Sequence, residues 1–345
     1  MTRPTNQDRR EAIKTMITGG AALATGAAFL SHEERILAAQ LADADSGNGN
    51  NPIGVKDVEV DALSGASRTH TNWAKFADLK KPVSKETIKG LDFSRLMMGG
   101  NLINGWAHAR DLLYVSDLVK AYHTRDKIFA TFKMGEACGI NAYSGGPSNI
   151  GLMEDYWNNA EGTMRFIVQS ITLDDALDCL DRGASAVYIQ GEVNDRLVRE
   201  GKFDVIAAFL DRMRKEKTVA GLGGHRLATI KACVEQGFEP DFWMKTIHHD
   251  RYWSRMPDKT EHDNVYCRSV NETIDFMETL PQPWIGFKVL AAGAIRPHDG
   301  FRFAFEAGAD FICVGMYDFQ IVDDVNICMD ILASDINRKR PWRFT

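Results

Sequence analysis

The sequence predicts an α/β protein in which eight strand–helix units close into a (β/α)8 barrel. Short apolar runs alternate with segments of helical periodicity along most of the chain. Several helical segments end at a glycine that is followed by the next apolar run, as expected where a left-handed residue ends a helix. Several apolar runs finish in polar residues, which is where barrels of this kind place their chemistry. A doubly wound open sheet is the alternative arrangement of these units.

The overall composition limits the possible functions. The chain has 345 residues, 44% of them hydrophobic, which is enough for one large domain with a sizeable core. Its net charge of −6 gives no support for nucleic-acid binding. After the N-terminal region, no apolar run is long enough to span a membrane. We therefore expect a small-molecule substrate, with an oligomer possible. The six cysteines form no Cys-x-x-Cys pair, so we expect small core residues, with disulfides left open by possible export.

The first 44 residues have the features of an export signal. Arg9 and Arg10 are followed by an apolar residue and a lysine, then by a Gly/Ala-rich run over 17–30 and a small-x-small site at 42–44. This pattern resembles the bacterial twin-arginine signal, which implies a periplasmic or secreted protein. Residues 45–86 contain a polar, glycine-rich stretch and are predicted to form a linker and extension. The catalytic barrel is predicted over 87–345.

The strands and helices follow in order along the rest of the chain. Strands are predicted over 94–101, 140–144, 165–171, 186–192, 219–225, 242–248, 285–292 and 311–317. Helices between them are predicted over 172–182, 204–217, 227–236, 270–280 and 300–307. The glycines predicted to end helices are Gly139, Gly183, Gly237 and Gly308.

Alternation along the strands predicts which side chains face the lumen. In the fourth strand Gln190 and Glu192 share the inward face, since Val187 and Ile189 should meet the helices. Gln169 is expected to point inwards from the third strand. Lys288 is expected to do so from the seventh, because a lysine in the apolar helix layer would need a partner.

Two further strands carry imidazoles near their ends. In the fifth strand His225 shares a face with two glycines, which leave room beside it. In the sixth, Lys245 and His248 have opposite parity. Either Lys245 points inwards together with His249, or His248 turns in after the strand has ended.

Glu192, His225 and His248 follow three successive strands, so they are predicted to hold a divalent metal ion. One carboxylate and two imidazoles suit zinc, manganese or iron. Asp318, after the eighth strand, is a fourth ligand or a general base. Histidines after strands five and six with an aspartate after strand eight are similar to the metal-dependent amidohydrolase barrels. The His-x-His of that family is replaced here by Met97–Asn101.

Lys245 and Lys288 predict a different chemistry. A lysine desolvated inside a barrel has a lowered pKa and can form a Schiff base with a carbonyl substrate. This arrangement resembles class I aldolases, which also use a lysine on a barrel strand. The alternative is a structural ion pair between the lysine and Glu192.

Three further segments carry family resemblances. Residues 291–295 and 308–315 resemble strands seven and eight of phosphate-binding barrels, which implies a backbone site for a phosphate or a flavin. Residues 132–141 resemble the opening of aldo/keto reductases, although the Asp, Tyr, Lys and His of that family are not recoverable. Taken whole, the chain resembles exported bacterial barrel proteins of unassigned activity.

Polar and aromatic residues in two loops complete the candidate site. Asn101, His108 and Arg110 follow the first strand, and Tyr252 and Trp253 follow the sixth. Such residues suit a sugar or another polyol, and an ordinary subunit interface is the alternative.

The combined hypothesis is an exported, metal-dependent enzyme that acts on a small, carbohydrate-derived substrate by isomerisation or elimination next to a carbonyl. Lys288, Lys245, Asp318 and Gln190 are the candidate catalytic residues. A metal-dependent hydrolase, a Schiff-base lyase and a non-catalytic sugar-binding barrel are the alternatives.

Overall fold

A short antiparallel hairpin precedes the barrel. The computed structural model describes residues 73–108, 112–252, 255 and 264–344, so the predicted signal and most of the linker lie outside the described residues. Strands β1 (Lys85–Ile88) and β2 (Leu91–Ser94) form the hairpin. Ser94 exchanges hydrogen bonds with Asn141, which joins the hairpin to the amino end of the barrel.

Eight parallel strands then close into a barrel, which confirms the predicted fold class. They are β3 (Leu96–Gly99), β4 (Ala142–Gly145), β5 (Arg165–Ser170), β6 (Ala186–Ile189), β7 (Val219–Gly224), β8 (Phe242–Thr246), β9 (Trp284–Phe287) and β10 (Phe311–Val314). Each strand pairs with the next, and β10 returns to β3 with Ile312 opposite Leu96. All eight strands fall within one or two residues of the predicted starts. Most end earlier than predicted, which matters for the site.

Helices surround the barrel. They are α1 (Leu113–Tyr122), α2 (Arg125–Ala137), α3 (Ile150–Asn159), α4 (Leu173–Asp181), α5 (Gly191–Arg199), α6 (Phe203–Lys215), α7 (Leu227–Glu235), α8 (Val270–Glu278), α9 (Pro297–Glu306) and α10 (Ile321–Ala333). Thr172 and Asp175 form a capping box at the start of α4. All four glycines predicted to end helices have positive φ, between +74° and +113°. The prediction from the glycine pattern is therefore confirmed.

The lumen is a packed apolar core over most of its depth. Every barrel strand contributes at least one buried side chain to it, namely Met97, Ala142, Ile167, Ala186, Tyr188, Val219, Phe242, Met244, Ile285 and Phe311. The predicted faces of β6 and β7, the fourth and fifth strands of the barrel, are confirmed. Tyr188 of β6 and Val219 of β7 point inwards, while Ile189 of β6 and Leu222 of β7 join the outer core.

The predicted inward face of β9 is wrong, and the structure settles the face of β8, for which the sequence left two alternatives open. In β9 Ile285 faces the lumen, whereas a Cβ on Gly286 would meet Ile247 and Ala309 of the outer core. In β8 Met244 faces the lumen and Trp243 faces outwards, so Lys245 leaves on the helix side of the wall. The error in β9 came from assuming that a polar residue in a strand must point inwards.

The six cysteines of the chain are free thiols, and five of them are fully buried. Among the described residues, no helix has the length and apolar character needed to cross a membrane.

Candidate active site

His225 follows the last residue of β7 at the carboxyl end of the barrel. Its side chain is 29% exposed and its ring lies beside Phe287, with 5.2 Å between ring centroids. Gly191 is needed here, because a Cβ on it would lie 3.0 Å from Cε1 of His225. Gly223 in turn lets the backbone at Gly191 approach β7, since its own Cβ would lie 2.7 Å from the Gly191 nitrogen. Two close backbone approaches therefore make the space for the imidazole.

A buried carboxylate on α5 orients this imidazole. Oδ2 of Asp195 accepts hydrogen bonds from both the backbone N–H and Nδ1 of His225, each at 3.1 Å. Its other oxygen accepts from the Thr229 hydroxyl at 2.5 Å. Burial raises the pKa of Asp195, but the hydrogen bonds from His225 and Thr229 outweigh it and lower the pKa overall. Because an ionised carboxylate only accepts, Nδ1 of His225 carries a proton, so in the neutral imidazole the lone pair lies on Nε2.

Lys288 lies just beyond β9 and reaches a second imidazole. Its φ is +61°, so strand alternation no longer applies at this position. Its ammonium donates to Nε2 of His108 and lies 4.4 Å from the centroid of the Tyr266 ring, a cation–π geometry. The Asn101 side chain also contacts Nε2 of His108, at 3.2 Å. Lys288, His108 and Asn101 therefore form one polar group on the rim.

Tyr266 connects the two polar groups. Its ring centroid lies 5.4 Å from that of His108 and 6.5 Å from that of His225. The same ring therefore lies near a cation, the Lys288 ammonium, and near the imidazole that Asp195 orients. We call His225, Asp195, Lys288, His108 and Tyr266 the mouth cluster.

Polar side chains of the inner wall lie below the mouth cluster. The Gln169 amide donates to the Ser144 carbonyl at 3.3 Å, and the Ser144 hydroxyl contacts the Tyr188 hydroxyl at 3.3 Å. Gln190 is the residue before α5, is partly exposed, and donates its backbone N–H to Ser170. The upper lumen is therefore polar above an apolar base.

The predicted metal ligands do not come together. Glu192 is exposed in the first turn of α5, because β6 ends at Ile189 and the helix begins two residues later. Nε2 of the buried His248 accepts the backbone N–H groups of Tyr266 and Cys267, and its Nδ1 donates to the His249 carbonyl. No group of three or more His, Cys, Asp or Glu side chains in the described ranges could hold a metal ion. This ligand set does not fit a metal, while metal dependence itself stays an untested prediction.

Other predicted substrate contacts support the long loop after β8. The Tyr252 hydroxyl donates to the Asn264 carbonyl at 2.9 Å. His249 packs edge-on against Phe303 and lines a cavity of about 510 Å³ outside the lumen. Arg110 and Trp253 lie outside the described residues.

Asp318 also lies away from the mouth cluster. Its carboxylate accepts from the Tyr122 hydroxyl at 2.5 Å and from the Lys127 ammonium at 2.9 Å. Burial raises the pKa of Asp318, but these two hydrogen bonds outweigh it and lower the pKa. The structure therefore places Asp318 in contact with α1 and α2.

Sequence reasoning missed Asp195 and Tyr266. A helical signal for Asp195 was present, since Val193 and Leu197 are four residues apart and bury one face of α5. Extending the fourth strand to residue 192 concealed it. Tyr266 lies in a loop without periodicity, so no comparable signal existed.

Comparison with known proteins supports the fold. No family model and no curated protein matches the sequence. Two structures of proposed aldo-keto reductases from Pseudomonas aeruginosa are similar, with TM-scores of 0.53 and 0.51 at 14% and 15% identity. Each similarity covers 74% of this chain and 99% of the other. A dihydropteroate synthase from Xanthomonas albilineans has a TM-score of 0.42 at 10% identity, covering 74% of this chain and 100% of its own. At such identities the comparison shows the barrel alone.

Proposed function

We propose that this protein is an enzyme that moves a proton next to a carbonyl group of a small polar substrate, as an isomerase or a lyase. The observation that carries the proposal is the Asp195–His225 pair at the carboxyl end of the barrel, with Tyr266 near both the His225 ring and the Lys288 ammonium. A hydroxy-carbonyl compound derived from a carbohydrate fits best, because amides and hydroxyls line the lumen beneath.

The roles of the residues follow from their hydrogen bonds. Asp195 fixes the Nδ1–H tautomer of His225, so Nε2 is the atom that accepts a proton from carbon. The ammonium of Lys288 suits the carbonyl oxygen, whose negative charge grows as the proton leaves. His108 holds that ammonium in place.

The test requires only a class of substrate. A panel of aldoses, ketoses and sugar acids is incubated with the protein in D2O, and NMR detects deuterium uptake next to the carbonyl or an eliminated product. His225→Asn should lower the rate about 10²- to 10⁴-fold, the usual contribution of a general base. Asp195→Asn should also lower it strongly, because an amide favours the wrong tautomer.

His298→Asn, which alters an exposed imidazole on α9, is the matched control and should react like the unmodified protein. Full exchange activity in His225→Asn, or no exchange with any member of the panel, would overturn the proposal.

A Schiff base at Lys288 is a second candidate. Its ammonium donates to a neutral imidazole acceptor, which could take the proton and release the free amine. Borohydride trapping with the same panel, followed by peptide mapping, should then label Lys288. Lys245 is not a candidate for this step, because it is buried on the outer side of the wall.

Metal dependence and export rest on the sequence alone. Export by the twin-arginine pathway is proposed from Arg9 and Arg10, and fusion of residues 1–44 to a reporter would test it in bacteria. Elemental analysis of protein purified without chelators would test for a metal.

A further inference from the structure

Lys245 is a buried cation that contacts no carboxylate in the part of the chain that the structure describes. Its side chain lies between the barrel wall and the helices and is 1% exposed. Nζ donates three hydrogen bonds to neutral oxygens: the His225 carbonyl at 2.9 Å, the Thr246 carbonyl at 2.9 Å and the Thr246 hydroxyl at 2.7 Å. Its three N–H donors are therefore matched by three acceptors.

Burying an ammonium without a counter-charge lowers the stability of the fold, so its presence here points to another role. Burial lowers the pKa of Lys245 to about 8, which shows how strongly this site disfavours the charged form. An apolar side chain of similar size would avoid that cost. One of the three acceptors, however, is the backbone carbonyl of the candidate base, and the Thr246 hydroxyl donates to the same carbonyl at 2.9 Å.

His225 is consequently held at both of its backbone polar groups. Asp195 accepts its N–H and its ring Nδ1, while Lys245 and Thr246 donate to its carbonyl. β7 ends at Gly224, so the strand ladder does not fix this residue. The hydrogen bonds with the side chains of Asp195, Lys245 and Thr246 take the place of the backbone hydrogen bonds that a strand residue would make.

We propose that Lys245 is a positioning residue for His225. By donating to the His225 carbonyl, it fixes the backbone of His225 and thereby the direction in which the imidazole faces the mouth of the barrel. The inference rests on the proposed function in one respect, namely that His225 is the base. The groups that face Lys245 are Asp195 on α5, His225 after β7, His248 after β8 and Cys267 before α8.

The direct test is the Nδ1–H proton of His225, which needs no substrate. The full chain is labelled with ¹⁵N-histidine, and His225→Asn assigns the signal. In Lys245→Met we expect this proton to exchange with solvent at least tenfold faster, because His225 is no longer held at its carbonyl.

In the unmodified protein, exchange should also rise with a transition near pH 8, beyond the ordinary base-catalysed increase, when the ammonium of Lys245 loses one of its three donors. Lys245→Met should lack that transition.

Two variants complete the experiment. Lys231→Met removes a surface ammonium on α7 that pairs with Glu272, and it should leave the exchange rate unchanged. Thr246→Val keeps the ammonium and the side-chain volume, and should give an intermediate increase, so the test stands even if Lys245→Met does not fold. The inference would be overturned if folded Lys245→Met exchanged this proton at the rate of the unmodified protein. If Lys245→Met does not fold, an unchanged exchange rate in Thr246→Val would overturn it.

Turnover separates this inference from the proposed function. Lys245→Met should lower kcat about tenfold with KM within twofold, because the base is misplaced while the substrate contacts remain. Faster exchange without turnover of any substrate would support positioning and refute the proposed reaction. If His225→Asn loses turnover while Lys245→Met changes neither exchange nor turnover, the proposed reaction would be supported and the positioning role of Lys245 refuted.

Discussion

Both ends of the barrel contain buried charges, but the two ends use them differently. At the amino end, Asp310 accepts from Arg338 at 2.7 Å, Arg340 at 2.5 Å and the backbone N–H groups of Trp284 and Arg343. Arg340 also donates to four backbone carbonyls. At the carboxyl end, the imidazole beside Asp195 is 29% exposed. A buried carboxylate is therefore structural where the arginines of the tail saturate it, and it can serve chemistry where its partner is an imidazole with one nitrogen left over.

The amino end is also closed by aromatic side chains of the C-terminal tail. The Arg95 guanidinium lies 4.0 Å from the Trp342 ring centroid and 5.1 Å from that of Phe344. Phe344 packs against Phe311 at the base of the lumen. This closure leaves the carboxyl end as the opening of the barrel in the described part of the chain.

The largest expected effect is the loss of the buried anion at the amino end. Asp310→Asn leaves Arg338 and Arg340 buried without a counter-charge, which should lower the free energy of unfolding by about 3–5 kcal/mol. Urea denaturation measures it. Asp195→Asn is the matched change at the other end and should cost about 1–3 kcal/mol, because its partner is a partly exposed histidine. Equal losses would contradict the contrast between the two ends.

The next effect concerns the imidazole that supports the mouth. Burial lowers the pKa of His248 to about 4, from 6.5 in the unfolded chain. Between these values the unfolded chain binds a proton and the folded protein does not, so stability falls as the pH falls from 6.5 to 4. The total is about 3 kcal/mol.

Unfolding followed as a function of pH checks this expectation. His248→Gln should flatten the acid limb of the stability curve, whereas His298→Gln, at an exposed position on α9, should leave it unchanged. An acid limb that is as steep in His248→Gln as in the unmodified protein would show that other groups cause it.

The smallest effect tests the backbone at the two ends. Ala292, in the segment after β9, has φ +57°, so Ala292→Gly should raise the free energy of unfolding by about 1 kcal/mol. Gly308, next to the tail, has φ +113°, and a Cβ there would lie 3.2 Å from Cδ of Arg340. Gly308→Ala should therefore destabilise by about 1–2 kcal/mol. Thermal denaturation of both variants measures the difference, and shifts of the same sign would contradict it.

Much of the site lay beyond sequence reasoning because strand ends decide it. His225 and Lys288 were singled out because each follows an apolar run, and the structure places both near Tyr266, while their roles stay predictions. Glu192 was misplaced because a strand that ends at Ile189 and one that ends at residue 192 have the same alternating pattern. The orientations of His248 and Lys245 stayed open because each has a backbone partner distant in sequence, Tyr266 and Cys267 for His248 and His225 for Lys245, which leaves no local pattern.

The sequence by itself determined the barrel, its eight strands and the glycines that end its helices. These follow from local periodicity and from backbone conformations that only certain residues adopt readily. Tertiary structure decided which polar groups meet. Asp195 reaches His225 only because two glycines let α5 approach β7, and Lys245 reaches the His225 carbonyl because β8 directs it to the outer side of the wall. Such pairings depend on distances between strands, which no single segment of the chain encodes.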